Sequence, residues 1–220
     1  MIEFRNVTKR FGSRLVLDNI NLTIEDGETF VIIGQSGMGK TVMLRHIAGL
    51  LDPDEGEVLI DGVAMSGSNP KTKVELRERI GLLFQSGALL NWMSVAENVA
   101  LPLVEHKKHT PEQIAVKVDE KLSILQLSDA KNKMPADISG GMKKRVGLAR
   151  ALIRDPRIIL YDEPTSGLDP VMSEVINQLI LQLQRDLGVT SFVVTHDMNS
   201  AYTIADRIAM LYRGKLVQCD

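Results

Sequence analysis

The sequence of 220 residues predicts an α/β fold, with a mostly parallel sheet, an N-terminal antiparallel β part and an inserted all-helical subdomain. Three observations predict this class. A buried apolar run at residues 29–33 leads into a glycine-rich loop and then a helix. Capping boxes at residues 94–97 and 110–113 mark a helical stretch. Apolar, strand-like runs resume after residue 156.

Composition and charge narrow the class of protein. With 44% apolar and 25% charged residues, the chain is typical of a globular protein that buries a sizeable core. A net charge of −2 gives no electrostatic reason to expect nucleic acid as a partner. The single cysteine, Cys219, suits a reducing cytoplasm and is most simply a spectator thiol. We find no signal peptide and no membrane-spanning run, so any membrane component is expected in another chain.

The first part of the chain reads as short strands joined by turns. We predict strands at 2–7 and 15–25, a turn at 9–14, and a hairpin turn at Asp26-Gly27 into the strand at 29–33. Leu15, Leu17 and Ile20 are expected to point inward on the second strand. A hairpin at 57–62, a helix at 71–79 and a strand at 79–84 follow.

The remaining elements divide the single predicted domain, 1–220, into two parts. Helices beginning near Ser94, Thr110 and Ser139 place an all-helical subdomain at 86–154. Strands at 157–161, 190–194, 207–212 and 215–218, with helices at 171–187 and 198–204, complete the core. The core therefore comprises 1–85 and 155–220.

Residues 34–41 read Gly-Gln-Ser-Gly-Met-Gly-Lys-Thr and match the phosphate-loop pattern G-x-x-x-x-G-K-[ST]. A chance glycine turn before a helix is the alternative, but strand, lysine and threonine together favour nucleotide binding. Lys40 is predicted to reach the β- and γ-phosphates, and the Thr41 hydroxyl to ligate Mg²⁺. The loop supplies these predicted ATP-binding residues: Gly34, Gln35, Ser36, Gly37, Met38, Gly39, Lys40 and Thr41.

Polar residues follow three predicted strands at the carboxyl edge, where open α/β sheets bind ligands. Asp162 is predicted to hold Mg²⁺, and Glu163 to orient and deprotonate the attacking water. His196 either hydrogen-bonds the γ-phosphate or only caps the next helix. The amide of Gln85 is expected to touch Mg²⁺ or the attacking water. Phe11 either stacks on adenine or plugs the β edge.

A second predicted anion site lies about a hundred residues beyond the loop. Ser139, Gly140 and Gly141 open a helix, and three basic residues, 143–145, follow. Because this site belongs to the helical subdomain, we expect it to serve a nucleotide bound to another copy of the chain.

Taken in order, these motifs resemble the ATPase subunit of an ABC transporter over essentially the whole chain. The resemblance implies a P-loop NTPase, RecA-like core and a head-to-tail homodimer that encloses two ATP molecules with Mg²⁺. It also implies that Phe11 stacks on adenine and that Asp169 lies at the dimer seam. Met142 and Ile138 depart from the usual glutamine and leucine; we expect activity to survive.

Within that family the chain resembles the ATPases of MCE-associated, Mla-type phospholipid transporters. The segments concerned are FQSGAL at 84–89, ENVALP at 97–102 and ISGGMKKRVGLARA at 138–151. This resemblance implies a separate membrane permease, an MCE lipid-binding protein and, in some systems, a STAS-domain partner. It places the chain on the cytoplasmic face of the inner membrane. Family members continue past the last strand, so we expect a truncated tail.

Three rival functions remain open. One is an ABC importer or exporter for amino acids, metals or peptides, which a permease encoded beside an MCE protein would argue against. Another is an ABC-type ATPase acting on nucleic acid or ribosomes, although such proteins usually carry two such domains or a coiled-coil insertion. The third, a P-loop kinase or GTPase, gives no reason for the motif at Ser139.

Overall fold

The strand before the phosphate loop lies inside a six-stranded sheet in the computed structural model, which describes residues 1–219 and the side chains of 1–217. The interpretation of Cys219 and the predicted tail beyond it thus fall outside the described side chains. Strands in this range are β1 Ile2–Phe11, β2 Arg14–Ile24, β3 Thr29–Ile33, β4 Glu55–Ile60, β5 Val63–Ala64, β6 Ile80–Leu83, β7 Ile158–Asp162, β8 Thr190–Thr195, β9 Arg207–Tyr212 and β10 Lys215–Cys219. Helices are α1 Lys40–Ile47, α2 Pro70–Glu78, α3 Val95–His106, α4 Pro111–Ile124, α5 Gly140–Leu152, α6 Pro170–Leu187 and α7 Met198–Ile204, with short 3₁₀ turns at Ser128–Ala130 and Pro135–Asp137.

The six-stranded sheet has the order β10-β9-β3-β8-β7-β6, and its strands are parallel except for β10. The order β2-β1-β4-β5 forms a separate antiparallel sheet. Alternate side chains of the parallel strands enter two cores, because successive residues of a strand face opposite sides. Phe30 and Phe192 pack toward the antiparallel sheet and α1, whereas Val31 and Val193 pack toward the helices on the other face. The predicted α/β fold class is confirmed.

The predicted hairpin at Asp26-Gly27 is wrong, because β2 and β3 belong to different sheets. An Asp-Gly turn redirects the chain locally, but it does not determine which strand the next segment pairs with. Here the turn is hydrogen-bonded to β8: Gly27 N–H donates to Thr190 Oγ1 at 2.9 Å, and Ser191 N–H donates to the Glu28 carbonyl at 2.8 Å.

The predicted turn at 9–14 is shorter than expected. Strand β1 continues to Phe11, which lies opposite Arg14 of β2, so only two residues make the turn. Leu15 is 36% exposed rather than inward-facing. Register shifts on either side of Lys9 account for this, since each shift moves the alternation of inward and outward side chains.

Between β6 and β7 the described elements are all helical. The capping boxes are formed as expected: Ser94 pairs with Glu97 at the start of α3, and Thr110 pairs with Gln113 at the start of α4. The apolar face of α4, including Leu122, is buried against α3 and α5. Within residues 1–219, no helix combines the length and apolar character that crossing a bilayer requires.

Candidate nucleotide-binding site

The carboxyl ends of β3, β7 and β8 meet at one edge of the parallel sheet and line a cleft of about 760 Å³. Parallel strands create such a site because their polar end residues converge there. The cleft contains most of the residues singled out in the sequence, together with three that were not. Its lining residues are Phe11, Arg14, Val16, Gln35, Ser36, Gly37, Gly39, Lys40, Thr41, Val42, Gln85, Glu163 and His196.

Two glycines of the loop are required because neighbouring strands approach it closely. A Cβ on Gly34 would stand 2.6 Å from the carbonyl oxygen of Leu211, and Gly34 has a φ of 150°. Gly39 has a φ of 106°, and a Cβ there would stand 2.9 Å from Val16 Cγ1. Strands β2 and β9 therefore press on the loop from outside, and only glycine accommodates both the contact and the conformation.

Lys40, the first residue of α1, is 6% exposed and curls back over the loop. Its ammonium donates to the Gly34 carbonyl at 2.7 Å and to the Gln35 carbonyl at 3.3 Å, and lies 3.6 Å from Glu163 Oε1. A buried cation beside loop carbonyls and the N-terminal end of a helix is chemically suited to anionic oxygens.

Thr41 and Asp162 face each other across the base of the cleft. The Thr41 hydroxyl donates to Asp162 Oδ1 at 3.0 Å. Burial raises the pKa of the Asp162 carboxyl, and the hydrogen bond from Thr41 opposes that rise. One hydroxyl and one carboxylate beside a phosphate-binding loop fit Mg²⁺, which favours oxygen ligands and commonly combines one or two protein groups with phosphates and water.

The Glu163 carboxylate is held by several neighbouring groups. It is 12% exposed, and its Oε2 accepts from the His196 amide at 3.3 Å and the Thr195 hydroxyl at 3.4 Å. His196 Nδ1 lies 2.8 Å from the same oxygen. The carboxylate is thus fixed by β8 and faces a cleft that accommodates a water molecule and a phosphate, the arrangement a general base requires.

The rim of the cleft is formed by Phe11, Gln85 and Arg14. Phe11 is 48% exposed, and the Lys9 ammonium lies 5.7 Å from its ring centroid. Gln85 Nε2 donates to Ser166 Oγ at 3.3 Å. Sequence reasoning missed Arg14, whose guanidinium donates to the Gly37 carbonyl at 2.9 Å. Arg14 follows Phe11 by three residues and lies opposite it on the paired strand, so its closeness to Phe11 in sequence could have indicated a place at the rim.

The predicted second anion site lies apart from this cleft. Ser139 and Gly140 are exposed at the start of α5, where Ser139 Oγ accepts from the Met142 amide at 3.3 Å. Gly141 is buried, with Met172 Cε 2.5 Å from the position of a Cβ. Asp169 is exposed and caps α6 through the Met172 amide.

The three basic residues after the glycine pair do not act together at that site. Lys144 is buried and reaches the Glu163 carbonyl, and Arg145 donates to the Leu125 carbonyl at 3.0 Å. The prediction of a basic cluster next to Ser139 is therefore wrong for these two side chains. A helix directs consecutive residues about 100° apart, so neighbours in sequence face different partners.

Comparison with known proteins identifies the family to which the chain is similar. A family model described as "ABC transporter" matches residues 17–166. The chain is 45% identical over 216 residues to the probable ribonucleotide transport ATP-binding protein mkl of Mycobacterium tuberculosis, covering 98% of this chain and 60% of that protein. It is 41% identical over 218 residues to the intermembrane phospholipid transport ATP-binding protein MlaF of Haemophilus influenzae, covering 99% of this chain and 82% of that protein.

Among solved structures, the dimeric post-hydrolysis state of the ATP-binding cassette MJ0796 bound to ADP and Pi superimposes with a TM-score of 0.91. It is 37% identical and covers 100% of this chain and 98% of that chain. The chain thus spans nearly the whole of that cassette, whereas it spans 60% of the mycobacterial relative.

Proposed function

The chain belongs to the ABC transporter family of ATP-binding proteins, and from this premise we propose that it hydrolyses ATP to power phospholipid transport through a separate permease. One observation carries the enzymatic part: Lys40, Thr41 and Glu163 line the same cleft as the phosphate loop. The similarity to the phospholipid transport protein, and the resemblance of three sequence segments to Mla-type ATPases, support the choice of substrate.

The geometry of the cleft supports the proposed binding of ATP. The loop presents backbone N–H groups and the N-terminal end of α1 to the phosphates, and Lys40 exchanges its carbonyl partners for phosphate oxygens. Thr41, Asp162 and Gln85 are the residues that would hold Mg²⁺. Mg²⁺ held there would neutralise part of the charge on the phosphates.

Hydrolysis is assigned to Glu163 and His196. Glu163 accepts the proton of the water that attacks the γ-phosphorus, and the bond from that phosphorus to the bridging oxygen breaks, so that ADP leaves. Lys40 stabilises the charge that develops on the phosphate oxygens. The contact between His196 Nδ1 and Glu163 holds the carboxylate in place and leaves the Nε2 atom to meet the γ-phosphate.

Phe11 is expected to carry part of the affinity for the base. Replacing it with alanine should weaken ATP binding by about tenfold, because base–aromatic stacking contributes about 1–3 kcal/mol. Phe11→Tyr, which keeps a ring at the rim, should bind like the wild type. Equilibrium binding of a fluorescent ATP analogue measures both variants. Equal affinities for Phe11→Ala and the wild type would contradict stacking on adenine and would favour the alternative, that Phe11 only covers the edge of the β-sheet.

Thr41 tests the metal assignment. Thr41→Val keeps the shape but removes the hydroxyl, so the Mg²⁺ concentration for half-maximal turnover should rise about tenfold or more. Thr41→Ser keeps the hydroxyl and should retain the wild-type requirement. Removal of Mg²⁺ with EDTA should abolish turnover in all three proteins. A valine variant with an unchanged Mg²⁺ requirement would contradict the assignment.

A homodimer is the proposed active form. Ser139 and Gly140 lie exposed at a helix N-terminus, outside the cleft of their own chain. A second copy placed head to tail brings this end, with its favourable partial charge, over the phosphates of the first. The similarity to a dimeric cassette supports this arrangement. Asp169, at the exposed start of α6, is assigned to the seam.

The segment 86–103 is the proposed contact with the permease. Trp92 in this segment is 73% exposed, and large exposed aromatic side chains commonly mark protein interfaces. Trp92→Asp should abolish stimulation by the permease and leave basal turnover intact. Tyr202→Asp provides a matched control, since Tyr202 is 72% exposed on α7. Crosslinks that place the permease loops away from 86–103 would contradict the assignment.

The assignment to phospholipid transport includes an MCE lipid-binding protein, optionally a STAS-domain partner, and attachment to the cytoplasmic face of the inner membrane through the permease. Reconstitution of the chain with the proposed permease tests the substrate. Phospholipid supplied with the MCE protein should stimulate ATP turnover, whereas an added ribonucleotide other than ATP should not. Stimulation by the ribonucleotide alone would favour the activity named for the mycobacterial relative.

A further inference from the structure

Helix α5 connects the exposed Ser139 end to the catalytic residue of its own chain. Lys144 lies in this helix, is 5% exposed, and donates from Nζ to the main-chain carbonyl of Glu163 at 2.9 Å. Burial of an ammonium group is unfavourable unless strong partners compensate for lost hydration. This ammonium is directed at the main chain of the residue to which we assign the general base.

The main chain of Glu163 is held on both sides. Its N–H donates to the Val194 carbonyl at 2.9 Å, and its own carbonyl accepts from Lys144. Glu163 has a φ of 50°, in the left-handed region that residues with a Cβ rarely adopt. Such a conformation persists only where surrounding contacts impose it. Lys144 supplies one of the three main-chain hydrogen bonds found, the third being donated by the Ser166 amide to the Glu163 carbonyl at 3.2 Å.

The same helix contacts the loop that follows Gln85. Arg150 of α5 donates from Nη2 to the Gly87 carbonyl and from Nη1 to the Ala88 carbonyl, each at 2.7 Å. One helix of 13 residues therefore touches the Gln85 loop, the main chain of Glu163 and, at its exposed N-terminal end, the position assigned to the second copy's nucleotide. A short helix moves as a unit, so displacement of one end displaces all three contacts.

We propose that Lys144 is a positioning residue that makes the alignment of the Glu163 carboxylate depend on the position of α5. When the phosphates bound to the second copy close on Ser139 of the first copy, α5 of the first copy is fixed in position. Lys144 then transmits that position to Glu163 of the same, first copy. The two nucleotide sites of the dimer are coupled in this way. The inference rests on the proposed function, because it requires both the base role of Glu163 and the shared site at Ser139.

The alternative is that Lys144 has a purely structural role. Lys121 is an example of a buried lysine with such a role. Lys121 is also 5% exposed, but its ammonium is paired with the carboxylates of Asp155 at 2.6 Å and Glu120 at 2.8 Å. Lys144 instead has a neutral carbonyl as its hydrogen-bond acceptor. Burial lowers the pKa of Lys144, and the nearby Glu163 and Asp162 carboxylates oppose that change.

The test compares Lys144→Met with Lys121→Met in the full chain bound to its permease. Lys144→Met should lower kcat for ATP about tenfold or more and leave the Kd for ATP within twofold, because Glu163 acts on the chemical step and not on binding. Lys121→Met removes an equally buried lysine and should keep wild-type kcat. A normal kcat in Lys144→Met, or an equal loss in both variants, would overturn the inference.

A double-mutant cycle shows whether Lys144 acts through Glu163. In a Glu163→Gln background the Lys144→Met change should cause no further loss of single-turnover rate, since the group it positions is already disabled. Independent, multiplying losses would overturn the inference. The outcomes separate the two hypotheses: wild-type turnover in Glu163→Gln refutes the proposed base itself, whereas an inactive Glu163→Gln with a normal Lys144→Met refutes only the coupling.

Discussion

Glu163→Gln is expected to lower ATP turnover by about 10²–10⁴-fold while leaving ATP binding intact, the range that a positioned general base contributes. The glutamine amide fills the same space and still accepts hydrogen bonds from the His196 amide and the Thr195 hydroxyl. It has little capacity to take a proton from water. The loss should therefore fall on kcat and not on the Kd for ATP.

The measurement is phosphate release by the purified complex, with ATP affinity determined separately. Glu75→Gln is a suitable control, because Glu75 is an exposed glutamate on α2, outside the cleft. It should retain wild-type values for both quantities. Turnover by Glu163→Gln within twofold of the wild type would remove Glu163 from the mechanism and leave His196 as the remaining candidate base at that edge of the cleft.

Much of this site was predictable because its signals are local in sequence. The phosphate loop is contiguous, and Asp162, Glu163 and His196 each follow an apolar strand directly, so the class of fold brings them to one edge. Helix boundaries were predictable for the same reason, since the capping boxes at Ser94 and Thr110 act within four residues.

What the sequence did not reveal depends on contacts between distant segments. The partners of β3 are β8 and β9, each more than 150 residues away, and no property of the Asp26-Gly27 turn encodes those pairings. The direction of the Lys144 side chain also depends on contacts between distant segments. Its position next to other basic residues suggested an anion site, whereas packing of α5 against β6 decides that it reaches Glu163.

Gly140→Glu is expected to abolish turnover although it changes no residue of the cleft. In the single chain a Cβ at Gly140 meets nothing nearer than Leu168 Cδ2 at 3.8 Å, so the substitution should not disturb folding. A carboxylate in the first turn of α5 even suits the helix dipole. In the proposed dimer it faces the triphosphate of the other copy, where like charges repel. ATP binding by the single chain should persist, while ATP-dependent dimerisation should be lost.

Mixing two inactive variants tests whether the site is shared between chains. A Gly140→Glu chain keeps its own phosphate loop, and a Lys40→Met chain keeps its own Ser139 end, so a mixed dimer contains one intact site and one with both defects. A 1:1 mixture should regain at most about a quarter of the wild-type sites, by random pairing in a two-fold dimer. If Gly140 served its own chain's nucleotide, both chains would remain inactive after mixing. Because the proposed coupling through Lys144 lowers turnover at the single intact site, the deciding readout is dimer formation. If differently tagged chains formed no mixed dimers in the presence of ATP, that result would count against a shared site.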